Sequence, residues 1–195
     1  MTLVEIREIG VDLLPKYSSI PAYFKVESQL RIEPVDGGFG GFRFVEERVE
    51  PYMKWDVQSD DDRPETWPER FGSDKMGVFM AFRGSEPVGG ATVLIDYPAG
   101  IVTHFEREGT AVLWDIRTHP DERRRGIGTK LFGFATNWAR GRGCHSMKIE
   151  TQNVNVPACR FYVKNGCVLG AVNRYGYTRV PEVAHESMLQ WYLEL

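Results

Sequence analysis

Residues 121–132 read DERRRGIGTKLF, and the way this stretch folds decides the rest of the chain. Three arginines, Arg123, Arg124 and Arg125, run into Gly126, Ile127 and Gly128. Upstream lies the β-prone run AVLWDIRTH (111–119), which stops at Pro120. Downstream the period changes. Ile127, Leu131, Phe134, Ala135 and Trp138 recur at helical spacing and predict one apolar helix face, closed by Gly141 and Gly143. A strand therefore turns tightly into a helix. The first N–H groups of that helix have no partner within it, and its dipole is positive there, so the turn is an anion site. Glycines at 126 and 128 let a diphosphate approach the backbone without meeting a Cβ, and the arginines add charge-assisted bonds from the rim. The GxxxxGK[ST] phosphate loop is not present, and the dinucleotide fingerprint GxGxxG fails because Leu131 stands where its last glycine belongs.

Working outward, LVEIREI (3–9) reads as an opening strand. Residues 11–30 mix turn and helix signals broken by Pro15 and Pro21, DGGFGG (36–41) is a turn, and GFRFVEERVE alternates as a strand. Residues 50–75 are acidic, aromatic and proline-containing, which predicts an irregular excursion or a short helix. GVFMAFRG (77–84) and VGGATVLIDY (88–97) form a hairpin about a turn at Ser85–Pro87, and 98–109 is a second turn region. SMKIETQ (146–152) is a strand. NVPACRFYVKN (155–165) is a helix with Pro157 in its first turn and an Asn165–Gly166 stop; 167–175 and 185–195 are closing strands. Strands followed by strand–helix–strand–helix–strand–strand predict an α/β fold with a mixed sheet, in a single domain over 1–195.

The bulk numbers exclude several function classes. The chain has 195 residues, 42% hydrophobic and 26% charged, enough to bury a core. A net charge of −3 argues against general nucleic-acid affinity, so the arginine run needs a local reason. No window reaches the ~20 apolar residues of a membrane span. Cys144, Cys159 and Cys167 make no CxxC pair and read as buried small hydrophobes in a reducing cytoplasm. His104, His119, His145 and His185 form no metal-ligand set, so no metal is expected; His119, beside Pro120, is read as structural.

Arg123-Arg124-Arg125-Gly126-Ile127-Gly128 resembles the [QR]xxGx[GA] signature of the GNAT superfamily of N-acetyltransferases. Downstream, Asn155, Ala158, Phe161, Tyr162 and Gly166 match its later N-x-x-A-x-x-F-Y-x-x-x-G motif, in the right order. Within the superfamily, ETQNVNVPACRFY (150–162) and the closing QWYLEL resemble streptothricin acetyltransferases. The resemblance covers roughly residues 76–195, the expected core with the acetyl-CoA site, while 1–75 would shape the acceptor site. Cys167 follows Gly166 where the family usually has Phe, a change that concerns packing.

The resemblance implies a mostly antiparallel twisted sheet flanked by helices, with acetyl-CoA as donor and a primary amine as acceptor. A lysine-like amine has a pKa of ~10.4, so deprotonating it at neutral pH costs roughly 4–5 kcal/mol and needs a proton acceptor. An N–H donor must meet the oxyanion, and an acid the departing thiolate. By the resemblance, Tyr162 is that acid, and it also borders the acetyl-CoA site. Asp115 is the first candidate base and Glu150 the second, with water as the alternative. Strict alternation would put Leu113, Asp115 and Arg117 on one strand face and Trp114, Ile116 and Thr118 on the other. By the same analogy, backbone groups of Ile116 and Thr118 pair with the pantetheine arm. The N–H groups of Arg124, Arg125, Gly126, Ile127, Gly128 and Thr129 hold the diphosphate, and Asn155 touches the arm or orients its helix, where it would also serve as a plain N-cap.

An acidic, aromatic segment (Asp56, Asp60, Asp61, Asp62, Glu65 and Glu69 among Tyr52, Trp55 and Trp67) suits a cationic acceptor, and equally a solvated loop. Tyr52, Trp55, Asp56 and Asp115 are the expected acceptor-binding residues. A streptothricin-type antibiotic with a β-lysine amine is one acceptor; polyamines and protein lysines are others. A non-catalytic CoA-binding sensor of the same fold and a nucleic-acid binder using the arginine run are the competing functions. Family members are often dimers, so a homodimer is a further expectation.

Overall fold

The computed structural model describes residues 3–56, 62–96 and 108–195. The chain divides into two compact units, Met1–Ala22 with Trp55–Lys148 and Glu194–Leu195, and Tyr23–Lys54 with Ile149–Leu193.

In the first unit, β1 (Val4–Glu8) leads into α1 (Leu14–Ser18), whose first turn holds Pro15 without loss because the N–H there has no helical partner. After α2 (Trp67–Phe71) come β4 (Met76–Arg83), β5 (Glu86–Leu94) and β6 (Thr110–Thr118). The strand order is β1-β4-β5-β6, with antiparallel pairing throughout, and the start of β7 (Ser146–Gln152) follows β6. The β4–β5 turn is tighter than the sequence suggests. Gly84, at φ +64°, makes the bend and β5 resumes at Glu86. Of the predicted turn region 98–109, residues 98–107 lie outside the described residues.

Two helical layers cover this sheet. Leu14, Tyr17, Ile20, Trp67 and Phe71 pack with Met76, Val78, Met80, Phe82, Leu94 and Val112 in one buried cluster, flanked by Trp114. On the alternate residues lies α3 (Ile127–Gly141): Phe79 stacks near Phe134 with ring centroids 6.0 Å apart. Two adjacent glycines make both approaches possible. A Cβ at Gly90 would lie 2.3 Å from the Tyr17 ring, and one at Gly89 would lie 3.0 Å from Leu131.

The apolar face of α3 differs from expectation. Ile127, Leu131, Phe132, Ala135, Thr136 and Ala139 are buried, whereas Phe134 is exposed. The buried stripe follows i, i+4, i+8 and i+12 from Ile127, so the helical period holds while the buried face turns away from Phe134 toward Phe132 and Thr136.

In the second unit, β2 (Tyr23–Pro34) and β3 (Phe42–Trp55, whose last residue belongs to the first unit) form a long hairpin. The turn between them has left-handed residues at Asp36, Gly37, Gly38 and Gly41. Most of β2, residues 23–30, falls where turn and helix are expected, and β3 runs on through 50–55, read as irregular. In β2, Phe24, Val26 and Ile32 are buried among exposed neighbours, and this alternation after Pro21 is the signal that was overlooked. The rest of β7 leads to α4 (Val156–Lys164), β8 (Val168–Asn173) and β9 (Met188–Glu194), with β9 between β7 and β8. Cys159 and Cys167 are buried, and burial lifts their thiols to about 12 and about 11, which keeps them protonated and inert. Cys144 is only half-buried, at the exit of α3, a correction to the expectation that all three are core.

Candidate active site

The anion cradle sits at the start of α3. Residues Pro120–Glu122 form a short 3-10 turn, initiated by the His119 ring, whose Nδ1 accepts the Asp121 N–H at 3.3 Å; this is the structural role expected of His119. Arg124 then takes a left-handed conformation, φ +65°, and Gly126 another, φ +80°. Left-handed residues at such a turn open a concavity lined by backbone N–H groups, which suits an anion. The first helical hydrogen bond is Lys130 N–H to Gly126 O at 3.1 Å, so the N–H groups of Ile127, Gly128 and Thr129 have no acceptor within the helix. A Cβ built on Gly126 meets nothing within 4 Å, so the space above the turn is open.

The arginine side chains do more within the loop than expected. Arg123 Nε donates to Thr118 O at 3.2 Å, and Arg125 donates to Glu122 at 3.1 Å. Glu122 also accepts twice from Arg83, at 3.0 and 2.7 Å, and these bonds hold its carboxyl below the usual range. The charges of the turn are braced before any ligand arrives, so less order has to be imposed on binding.

The second feature lies on β6, which carries a bulge. Thr92 pairs with Asp115, but Val93 pairs with Leu113, so Trp114 is the extra residue. Thr92 and Val93 point to opposite faces, hence so do Asp115 and Leu113. This corrects the strict alternation expected for the strand: Leu113 leaves the Asp115 face. Trp114 joins the α1–α2 layer instead, with its ring 4.7 Å from Phe71.

Asp115 is clamped. Arg117 donates to both carboxylate oxygens, Nε at 2.8 and 3.1 Å and Nη2 at 2.6 Å, and the Tyr17 hydroxyl donates to Oδ1 at 2.6 Å. Arg117 Nη1 reaches Ile20 O at 3.3 Å. Burial works against the Arg117 charge, but Asp115 outweighs it and holds the guanidinium proton more firmly than usual. Burial first, then the Asp115 charge, pushes the Tyr17 phenol well above its ordinary value, so it is a permanent donor. Two further carboxylates come into electrostatic range of Arg117: Asp56, read from the sequence as acceptor-binding, and Asp62. Trp67 and Phe71 are buried beside them, and Arg70 lies over Phe71 and Trp114 at 4.9 and 5.0 Å. Trp55 is 61% exposed. Asp60 and Asp61 lie outside the described residues.

In the second unit, Asn155 caps α4, its Oδ1 accepting the Ala158 N–H at 3.2 Å, so it orients the helix. Tyr162 is buried in the last turn of α4, edge-on to Phe161 at 5.4 Å and 6.4 Å from Trp191. Glu150 is exposed and accepts the Tyr177 hydroxyl at 2.9 Å. Tyr52 is partly exposed, and burial with the Glu186 charge raises its phenol. Sequence reasoning missed Tyr17, Arg70, Trp114 and Arg117. Only Arg117 left a local trace, an opposite charge two residues from Asp115 on one strand. Among the described residues no group of His, Cys, Asp and Glu could hold a metal, and no helix is long and apolar enough to cross a membrane.

Comparison with known proteins fits this geometry. A family model described as acetyltransferase (GNAT) family matches residues 42–167. Streptothricin acetyltransferase A of Bacillus subtilis (strain 168) is 29% identical over 154 residues, 78% of this chain and 80% of that protein. The Escherichia coli streptothricin acetyltransferase is 31% identical over 152 residues, 78% of this chain and 76% of that one. In fold, the chain resembles a Bacillus anthracis str. Ames protein assigned as a streptothricin acetyltransferase and solved with acetyl coenzyme A: TM-score 0.78, 23% identity, covering 100% of this chain and 98% of that one.

Proposed function

The chain belongs to the GNAT family and is an acetyl-CoA-dependent N-acetyltransferase; from that premise we propose that its acceptor is the amine of a small polycationic molecule of the streptothricin type. One observation carries this reading: Asp115, clamped by the buried Arg117, and Asp62, bonded to Trp67 and Arg70, lie beside the rings of Tyr17, Trp67, Phe71 and Trp114, with Asp56 in electrostatic range of Arg117. Carboxylates against aromatic faces favour ammonium groups. The names of the two relatives point the same way.

Acetyl-CoA supplies the thioester carbonyl that the amine attacks. The left-handed turn at Arg124 and Gly126 and the N–H groups through Thr129 suit its diphosphate, and backbone groups of Ile116 and Thr118 suit the pantetheine arm as an added strand. Tyr162 is the proposed acid for the departing thiolate, because a phenol with a pKa near ~10 remains protonated at neutral pH. Asp115 acts chiefly as an anion that anchors acceptor and Arg117, since its oxygens already accept from Arg117 and Tyr17. Glu150, exposed and bonded to Tyr177, is the alternative proton acceptor. The test is a screen of amines scored by thiol release from acetyl-CoA, with streptothricin, spermidine and a lysine peptide in parallel. Turnover of streptothricin over the others supports the reading. Preference for the peptide or polyamine replaces it, and CoA binding without turnover of any amine favours the sensor.

A further inference from the structure

We propose that Asp62 is the general base that takes the proton from the acceptor ammonium. This rests on the acetyltransferase reading above and names the group that reading leaves open. Three observations carry it. The first is position: Asp62 bonds Trp67 and Arg70, and Trp67 lies edge-on at 5.7 Å to Tyr17, whose hydroxyl bonds Asp115, so Asp62 belongs to the anionic cluster proposed to hold the acceptor. The second is bonding capacity. Asp62 Oδ1 accepts from Trp67 Nε1 at 3.3 Å and Arg70 Nη1 at 3.1 Å, whereas among the described residues Oδ2 has no hydrogen-bond donor. Asp115, by contrast, has both oxygens held by one buried guanidinium. The third is access: the Asp62 side chain is 37% exposed against 14% for Asp115, so an incoming ammonium reaches it.

The electrostatics agree. Burial raises the Asp62 carboxyl above the ordinary aspartate value, Arg70 and the Trp67 N–H pull it down, Asp115 pushes it up again, and Arg117 opposes. The net direction is upward, toward the operating range of a base at neutral pH. Asp115 then acts twice, anchoring the amine and keeping its neighbour basic.

The step balances. The ammonium gives one proton to the Asp62 carboxylate, leaving a neutral amine. Its lone pair forms the C–N bond at the thioester carbonyl, and the C–S bond breaks with its electron pair on sulfur. The tetrahedral adduct gives its second nitrogen proton to solvent, the thiolate takes a proton from Tyr162, which solvent reprotonates, and Asp62 returns its proton to solvent, so one proton is released per turnover.

The test compares wild type, Asp62→Asn and Asp62→Glu from about pH 5 to about pH 9, with thiol release as readout, streptothricin and spermidine as acceptors, and acetyl-CoA affinity measured separately by calorimetry. In wild type, turnover falls on the acid side with a midpoint above the ordinary aspartate range. Asp62→Asn, nearly isosteric, is expected to lose about 10²-fold or more in kcat and to lose that acid limb, with acetyl-CoA affinity unchanged. Asp62→Glu restores a limb at a shifted midpoint, which a merely structural residue would not do. An Asp62→Asn enzyme whose pH profile overlays wild type, or is lowered at every pH with its limb intact, overturns the assignment while leaving the acetyltransferase reading standing. A wild-type enzyme that binds acetyl-CoA but acetylates neither amine removes the reading of the acceptor and this assignment with it.

Discussion

At Gly126 a single missing methyl group does two things. The residue sits at φ +80°, where a side chain clashes with its own carbonyl, and open space lies where a Cβ would point. Gly126→Ala is therefore expected to cost about 1 kcal/mol of stability through the backbone alone, read from a urea midpoint. Gly126→Glu pays that and also places a carboxylate at the cradle, so acetyl-CoA affinity drops by at least about 10-fold; unchanged affinity in calorimetry moves the phosphates elsewhere. Tyr162→Phe separates chemistry from binding. It keeps the packing against Phe161 and Trp191 and removes only the hydroxyl, so kcat should fall by about 10²-fold while acetyl-CoA affinity holds. Equal kcat in the variant removes Tyr162 as the acid. Gly126 and Asn155 are legible because each acts through a local rule, a helix start and a cap within one turn. Tyr17 is not, because its hydroxyl bonds a carboxylate 98 residues away and nothing near it in the chain marks that partner.

At the scale of elements, β5 and β6 decide where the Asp115–Arg117 cluster stands. The bulge at Trp114 turns one extra residue of β6 toward α2, and Gly90 on β5 lets α1 settle against the sheet with Tyr17 over Asp115. Gly90→Val places branched carbon where the Tyr17 ring lies, 2.3 Å from the built Cβ. It should cost about 1–3 kcal/mol by overpacking and raise the acceptor KM, because Tyr17 leaves Asp115, while acetyl-CoA affinity is kept. A variant with wild-type urea midpoint and KM means that α1 does not position the cluster. Element types were largely readable from periodicity, and β1, β4, β5, β6, β7, α3 and α4 follow it closely. The bulge was not, since a one-residue insertion leaves the composition of a β-prone run unchanged and only the pairing with Thr92 and Val93 reveals it. The hairpin strand β2 is masked in the sequence by Pro21, which lies just outside it.

At the scale of the whole chain, long-range charge pairing is the part a linear reading reaches least. Within the second unit, Lys54 at the end of β3 and Glu186 before β9 lie 132 residues apart in sequence, yet Nζ meets Oε1 at 2.7 Å with side chains only 8% and 2% exposed. Their surroundings in sequence, PYMKWD and VAHESM, carry no sign of burial. Glu186 Oε2 has no hydrogen-bond partner among the described residues, so the pair is only half satisfied. Removing one partner strands the other. Lys54→Met is expected to lose about 3–5 kcal/mol in urea unfolding, whereas Lys54→Met with Glu186→Leu should recover most of that loss and could exceed wild type, since two apolar side chains need no desolvated charge balanced. The same cycle separates fold from catalysis. If the pair only ties the hairpin to the strand that follows Glu186, the double variant keeps wild-type kcat with either amine. A single variant within about 1 kcal/mol of wild type would mean that water reaches Glu186 and that the pair contributes little to holding this unit together.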